Sequence, residues 1–388
     1  MDITPIADNR ALVDFCDRQR GADYLAVDTE FLRDRTYWPR LCLVQVAGPN
    51  EAVAIDTLAP ELDPQPLYEL MADRSLLKVF HAGRQDVEIF FHATGSIPEP
   101  LFDTQVAAMV CGFGDQVGYE GLVAKLVGAR TDKSSRFTDW SHRPLTQKQL
   151  QYALADVIHL RPAYEKLAAE LGKTGRTSWL DQEMGILMDP DTYRLDPDRA
   201  WRRLKSRNSN PRFHAVLREL AAWREHEAQR RNVPRNRIIR DDAILELAAQ
   251  APNSKELLDR SRALPRGFAN SANGAAVLDA VARAAAVPES ELPLPPKRES
   301  RPSGLGPVTD LLKVLLKHVT EKYNVAPRLI ASADDLERIA ADDNADVRAL
   351  SGWRREMFGE HALALKRGEV ALTTKGNRTL IIELRSDT

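Results

Sequence analysis

The chain is short of several things, and each shortage removes a class of protein. Cysteine occurs three times in 388 residues, at Cys16, Cys42 and Cys111. An odd, widely spaced set excludes a disulfide framework and a cysteine-rich zinc site, and predicts reduced thiols in the core. No run of about 18 apolar residues exists, so no membrane-spanning helix is expected. The first residues, with Asp2 and Asp8, lack the basic start and apolar stretch of a secretory signal. A cytoplasmic chain without a membrane partner is the expectation. Net charge is nearly absent as well: 54 basic against 56 acidic residues leave −2, which points to neither a DNA-coating protein nor an acidic buffer. Aromatics make up only 6%, but 43% hydrophobic and 28% charged residues lie in the ordinary globular range.

What is present falls into two kinds of pattern. Short β-rich apolar runs at 24–28, 41–47, 52–55 and 76–80 predict strands. The links between the first three are too short for crossover helices, so those strands should be antiparallel neighbours. Helical periodicity follows at 84–92, 103–111, 119–127 and 146–161. The expectation is an α/β unit with a mixed sheet over 1–190, and then helical units over 195–288 and 307–388. Residues 289–306, rich in Pro, Ser, Gly and charge, read as a linker between them. In the last unit Leu311, Leu312, Val314, Leu315 and Val319 mark an amphipathic face.

Charge is segregated. Between Arg199 and Arg240 there are thirteen basic residues against three glutamates, Arg230, Arg231 and Arg235 among them. Such a field attracts phosphate backbones, although a solvated helix face reads the same way.

The carboxylates carry more information. Asp28 and Glu30 close the first apolar run at spacing i, i+2, which points both to one face of a strand. Asp86 follows the fourth run at a helix start. Tyr152 and Asp156, four apart in QLQYALADVIHL, share a helical face, with Leu150, Leu154, Val157 and Leu160 left to pack. Each feature alone has a bland explanation: a strand end, a capping residue, a helix surface. Together they suggest four carboxylates converging on one cleft with a phenol. Two like charges 4 Å apart repel by about 1 kcal/mol in water and about 4 kcal/mol at an effective dielectric of 20. Such a cluster needs protons or cations, and hard oxygen ligands select Mg²⁺ or Mn²⁺, a pair of which can drive phosphodiester hydrolysis.

The segments AVDTEF, KVFHAGRQDVEIF and QYALADVIHLRPAYEKL resemble, in order and spacing, the three motifs of the DEDDy 3′-5′ exonucleases. The connecting text, RDRTYWPRLCLVQVA and DWSHRPLTQKQLQYALADV, resembles the bacterial ribonuclease D family. WREHEAQRRNVPRNRIIRDDAILELA is similar to an HRDC domain, a helical nucleic-acid-binding module, and 307–388 resembles the second, more divergent HRDC-like unit of that family. The resemblance implies an RNase H-like fold followed by two all-α units. It also implies 3′-to-5′ hydrolysis of RNA with a single-stranded 3′ end, releasing nucleoside 5′-monophosphates, and maturation of tRNA precursors without a required protein partner. In the implied mechanism Asp28 bridges two divalent ions, Glu30 and Asp156 complete the site of the attacking water, Asp86 supports the second ion, and Tyr152 orients the water. Related motifs occur in DNA exonucleases, and an inactive nucleic-acid-binding adaptor is a further alternative.

Lesser candidates surround these motifs. Phe31, Tyr37 and Trp38 follow the first motif and are candidates to stack on unpaired terminal bases, with packing under the loop expected for at least one of them. His81 and Arg143 are candidates for a substrate phosphate, while Trp140, Met109 and the cysteines are assigned to the core.

Overall fold

The computed structural model describes residues 3–130, 132, 134–294 and 302–384. Its centre is a five-stranded sheet of β1 (Tyr24–Leu32), β2 (Arg40–Ala47), β3 (Ala52–Ile55), β4 (Leu77–Phe80) and β5 (Leu101–Asp103), in the order β3-β2-β1-β4-β5. β1 runs antiparallel to β2 and β2 to β3, as their short links require, whereas β1, β4 and β5 are parallel. β1 continues four residues past Asp28, with a bulge between Glu30 and Phe31. β5, three residues following a proline-containing turn, is too short to announce itself by periodicity.

Helices cover the sheet: α1 (Asn9–Gln19), α2 (Gln65–Ala72), α3 (Arg84–Thr94), α4 (Thr104–Val110), α5 (Tyr119–Leu126), α6 (Gln147–Thr174) and α7 (Thr177–Leu187). The sequence reading leaves α1 and α2 unassigned, although Asp8 caps α1 by accepting from the Ala11 N–H at 2.9 Å. α6 starts with a reciprocal capping box between Thr146 and Gln149. It runs thirteen residues beyond the expected end at 161, straight through Pro162. A proline inside a helix costs a hydrogen bond, here outweighed by burial of Ala163, Leu167 and Leu171 on the continuing face.

Beyond these lie α8 (Pro211–Arg231), α9 (Arg235–Ile238), α10 (Asp241–Gln250), α11 (Lys255–Asp259) and α12 (Ala272–Ala286), which pack around their own apolar cluster of Leu217, Leu220, Ile244, Leu247 and Val277. Tyr37, from the β1–β2 connection, is buried in that same cluster. Of the proline-rich stretch 289–306, Glu289–Glu291 form one 3-10 turn, and 295–301 lie outside the described residues.

The last segment starts with α13 (Gly306–Tyr323), whose Leu312, Leu315 and Val319 are buried while Leu311 and Val314 face out, contrary to the expected single face. At 3.6 residues per turn Leu311 and Val314 fall outside the buried stripe. Its apolar residues, with Ile330, Trp353 and Phe358, join one continuous cluster with Leu12, Val79 and Val110 of the sheet layer. Trp179 of α7 stacks on Trp353 at 4.6 Å. One part of this segment departs from the all-helical expectation. A hairpin, β6 (Val370–Lys375) and β7 (Arg378–Glu383), closes over Gly376-Asn377, a two-residue turn whose signal stands in the sequence. Among the described residues no helix is long and apolar enough to cross a membrane.

Candidate active site

Three elements bring the predicted acidic groups together. Asp28 and Glu30 project from β1, and Asp156 from the first half of α6, with one carboxylate oxygen of each within 4.8 Å of the others. Asp86, in the first turn of α3, is buried beside them and accepts a hydrogen bond from the Thr29 hydroxyl. Glu88, two residues on, turns away and holds Arg33 through bonds of 2.7 and 2.8 Å.

The turn that delivers Asp86 is built by Asp103. Its carboxylate accepts from the N–H groups of Ala82 (3.1 Å), Gly83 (2.8 Å) and Gln105 (2.8 Å), so the end of β5 fixes the start of α3. Ala82 takes a φ of 54°, a conformation costly for a residue with a Cβ. Gly83 is required by proximity: a Cβ there would lie 2.4 Å from the Phe80 Cβ.

Electrostatics follow from crowding. Burial, reinforced by the charges of Asp86, Asp156 and Glu30, pushes the Asp28 carboxyl well above its ordinary value. Burial and the charges of Asp156 and Asp86 push Glu30 up to about 9, with Arg136 opposing. Burial raises Asp156 to about 7 and Asp86 to about 6, although the Tyr152 hydroxyl on the first and the Thr29 hydroxyl on the second pull the other way. Tyr152 is itself raised by burial and by the neighbouring carboxylates, Asp156 foremost. A set of oxygen donors that retains protons for want of a counter-charge is matched to divalent cations of hard character. Asp28, Glu30 and Asp156 could hold such a cation, and Asp86 lies beside them.

The carboxylates open into a cavity of about 520 Å³, whose walls include His81, Gln105, Tyr119, Arg136 and Tyr152. His81 engages the Thr104 hydroxyl through Nδ1 at 3.0 Å, and burial lowers its pKa, so it is neutral near pH 7. Tyr119, which the motifs do not single out, donates its phenolic hydrogen to the Asp156 carbonyl oxygen and stands edge-on to His81 at 5.4 Å. Arg136 adds, among the described residues, the one permanently positive side chain of the wall. A tyrosine at a helix start and an arginine in a loop carry no sequence signal that separates them from packing and solvation.

Several expected substrate contacts are not in the cavity. Trp38 lies against His92 (4.2 Å) and Tyr37 (4.7 Å), and its N–H donates to Asn232 Oδ1 at 3.0 Å. Arg143 is consumed internally, forking onto Asp56 (2.6 and 2.7 Å) and donating to the Cys42 and Trp140 carbonyls. Arg235 pairs with the buried Glu225 at 2.5 Å and lies over the Tyr37 ring. Arg230 and Arg231 both pair with Glu227. The basic field is thus partly neutralised by acids the linear count overlooks, including Asp196 and Asp241. Phe31 is half-buried just past the bulge. Trp140, Met109 and the three cysteines are buried in the core, the thiols free.

Comparison with known proteins shows the family and the fold. A 3′-5′ exonuclease family model matches residues 3–172 and an HRDC domain model residues 213–281. Ribonuclease D of Granulibacter bethesdensis is 52% identical over 98% of this chain and 96% of its own length. Ribonuclease D of Nitrobacter hamburgensis is 52% identical over 96% of this chain and 97% of its own. The crystal structure of Escherichia coli RNase D, an exoribonuclease involved in structured RNA processing, superposes with a TM-score of 0.80 at 30% identity, covering 95% of this chain and 99% of that one.

Proposed function

Because the chain belongs to the ribonuclease D family and is a 3′-to-5′ exoribonuclease, we propose that it trims single-stranded RNA 3′ ends, those of tRNA precursors included, by hydrolysis dependent on two Mg²⁺ or Mn²⁺ ions. The observation that carries the reading is the meeting of Asp28, Glu30 and Asp156 oxygens within 4.8 Å, with Asp28 and Asp156 lining an open cavity.

Bound there, a pair of divalent ions supplies the positive charge that acidifies water and stabilises the leaving 3′ oxygen. The chain's own residues do the rest. Asp28, Glu30 and Asp156 would hold the ions, whose charge would offset the repulsion that favours their protonated forms. Asp86, held by Thr29, adds negative charge beside Asp28. The Tyr152 hydroxyl, which favours the charged form of Asp156, has an oxygen to accept a hydrogen bond from the attacking water. A phenol raised above its usual value near 10 is a poor base at neutral pH, so Tyr152 orients the water rather than deprotonating it. His81, neutral and fixed on Thr104, offers a ring nitrogen to the terminal nucleotide.

The test is hydrolysis of 5′-labelled unstructured RNA, with a matched DNA strand in parallel. A ladder of single-nucleotide steps in Mg²⁺ or Mn²⁺, abolished by chelator and by Asp28→Asn, supports the reading. Undiminished trimming in chelator, or DNA degraded in preference to RNA, overturns it.

A further inference from the structure

Beside the catalytic cavity, Phe137 exposes 91% of its surface. Burial of a large apolar ring is ordinarily favourable by about 1.5–3 kcal/mol, so a ring left in water calls for something to cover it. Two observations say what. Arg136, the preceding residue, lines the cavity of the carboxylates and influences Glu30 and Asp156 directly. Its guanidinium also lies 5.3 Å from the Phe137 ring centroid, while the ring stays almost wholly in solvent. Phe137 itself borders a second hollow of about 390 Å³, shared with Leu32, Arg35, Arg40 and Asp139. Leu32 lies two residues beyond Glu30 on β1, so this hollow adjoins the cavity through both β1 and the 136–137 step.

Two guanidiniums, Arg35 and Arg40, and two carboxylates, Asp34 and Asp139, line the hollow. Asp139 is engaged by the Ser141 N–H at 2.9 Å, and Asp34 faces Arg35 at 3.4 Å. Arg40 has no acidic partner among the described residues. An aromatic face beside unpaired guanidinium charge is the combination that holds single-stranded nucleic acid, the ring under a base and the cation at a phosphate.

We infer that Phe137, with Arg136 at the rim it shares with the catalytic cavity, forms a nucleotide subsite beside that cavity, in which Phe137 stacks on an unpaired base two or three positions from the RNA 3′ end. This rests on the exoribonuclease reading above and adds to it a requirement for substrate length. The subsite reads no base identity, since every base offers a π face. It rejects a duplex running up to the 3′ end, whose bases already stack on one another.

Two measurements test it. In an Asp28→Asn background, where RNA stays intact, hexanucleotides carry 2-aminopurine at successive positions. Quenching is expected at the second or third position from the 3′ end, lost in Phe137→Ala and kept in Phe137→Tyr. In the otherwise native enzyme, the ratio of kcat/KM for a hexanucleotide over a dinucleotide should fall about tenfold in Phe137→Ala and recover in Phe137→Tyr. Equal quenching and an equal length ratio in Phe137→Ala and the parent overturn the subsite. A native protein that quenches the probe but cleaves no RNA with either metal refutes the activity and leaves the subsite standing. The exposure of Phe137 keeps folding out of the comparison.

Discussion

The phenol of Tyr37, in the connection between β1 and β2, donates to the carboxylate of Glu225 in α8. Around this bond Arg235 forks onto Glu225, Gln229 donates to the Tyr37 oxygen at 3.1 Å, and Asn232 accepts from the Tyr37 and Trp38 N–H groups. The connection that follows the first acidic motif is therefore the handle by which α8–α12 hold the sheet layer.

Removing that handle should loosen one unit from the other. Tyr37→Ala takes a buried ring from the cluster and leaves Glu225 short of a donor, which costs about 3 kcal/mol. Limited proteolysis near residue 205 should accelerate, while far-ultraviolet dichroism stays that of the parent. Tyr37→Phe, keeping the ring, should cost about 1 kcal/mol. An unchanged cleavage rate in both variants contradicts the docking role.

At the carboxylates, neutralising one group should stabilise the metal-free protein while destroying the enzyme. Glu30 has a pKa of about 9, against 4.5 for an ordinary glutamate. Between those values the native state holds the extra proton, so stability declines as pH rises through the window. Glu30→Gln should flatten that decline and raise the melting temperature in chelator at pH 8, by a few degrees for about 1 kcal/mol. Mn²⁺ affinity by calorimetry should drop at least tenfold. A lower melting temperature in chelator contradicts mutual repulsion among the carboxylates.

Tyr152→Phe should separate holding from orienting. Loss of the hydroxyl leaves the three carboxylates in place, so Mn²⁺ binding persists while kcat falls by about 10²-fold or more, the range of a positioned proton-transfer or orienting group. Loss of Mn²⁺ binding would place the phenol among the ligands instead.

The β4–α3 turn admits no side chain at Gly83. In Gly83→Ala the new Cβ meets Phe80, and either α3 shifts, carrying Asp86 with it, or Phe80 does. A stability loss of about 1–3 kcal/mol is expected, with a fall in kcat/KM larger than that loss explains at 25 °C. Full activity in a folded Gly83→Ala protein shows that the position of Asp86 is not critical.

Acid sensitivity should arise partly at Glu88. Burial acts to raise its pKa, but the His92 ring 3.8 Å away and the two hydrogen bonds from Arg33 prevail and hold it at about 2. A depressed carboxylate contributes stability above its unfolded value, lost as pH falls from about 4.5 toward 2. Glu88→Gln should therefore show a shallower loss across that window in acid titrations followed by fluorescence.

The sheet and the acidic site were legible for different reasons. Strands β1–β4 follow from alternation and short links, and Asp28, Glu30 and Asp156 from spacing on a strand and a helix whose other faces are apolar. Trp38, Arg143 and Arg235 misled because residue type gives chemistry but not partner: Asn232, Asp56 and Glu225 lie far away in sequence and claim them first. Tyr119 and Arg136 were invisible for the converse reason, being ordinary residues made special only by closure of the fold. The hairpin β6–β7 had its turn signal, hidden within a helical stretch.

The apolar cluster that joins α13 and Trp353 to the sheet layer has a practical corollary. Dependence in this chain does not follow sequence order: the C-terminal portion shares its interior with the catalytic layer, whereas the middle portion has an apolar cluster of its own, which Tyr37 joins. A fragment ending near residue 190 would bare the surroundings of Met109, Cys111 and Trp179 to water and tend to aggregate, so a minimal nuclease is better made by excising the middle than by shortening the end.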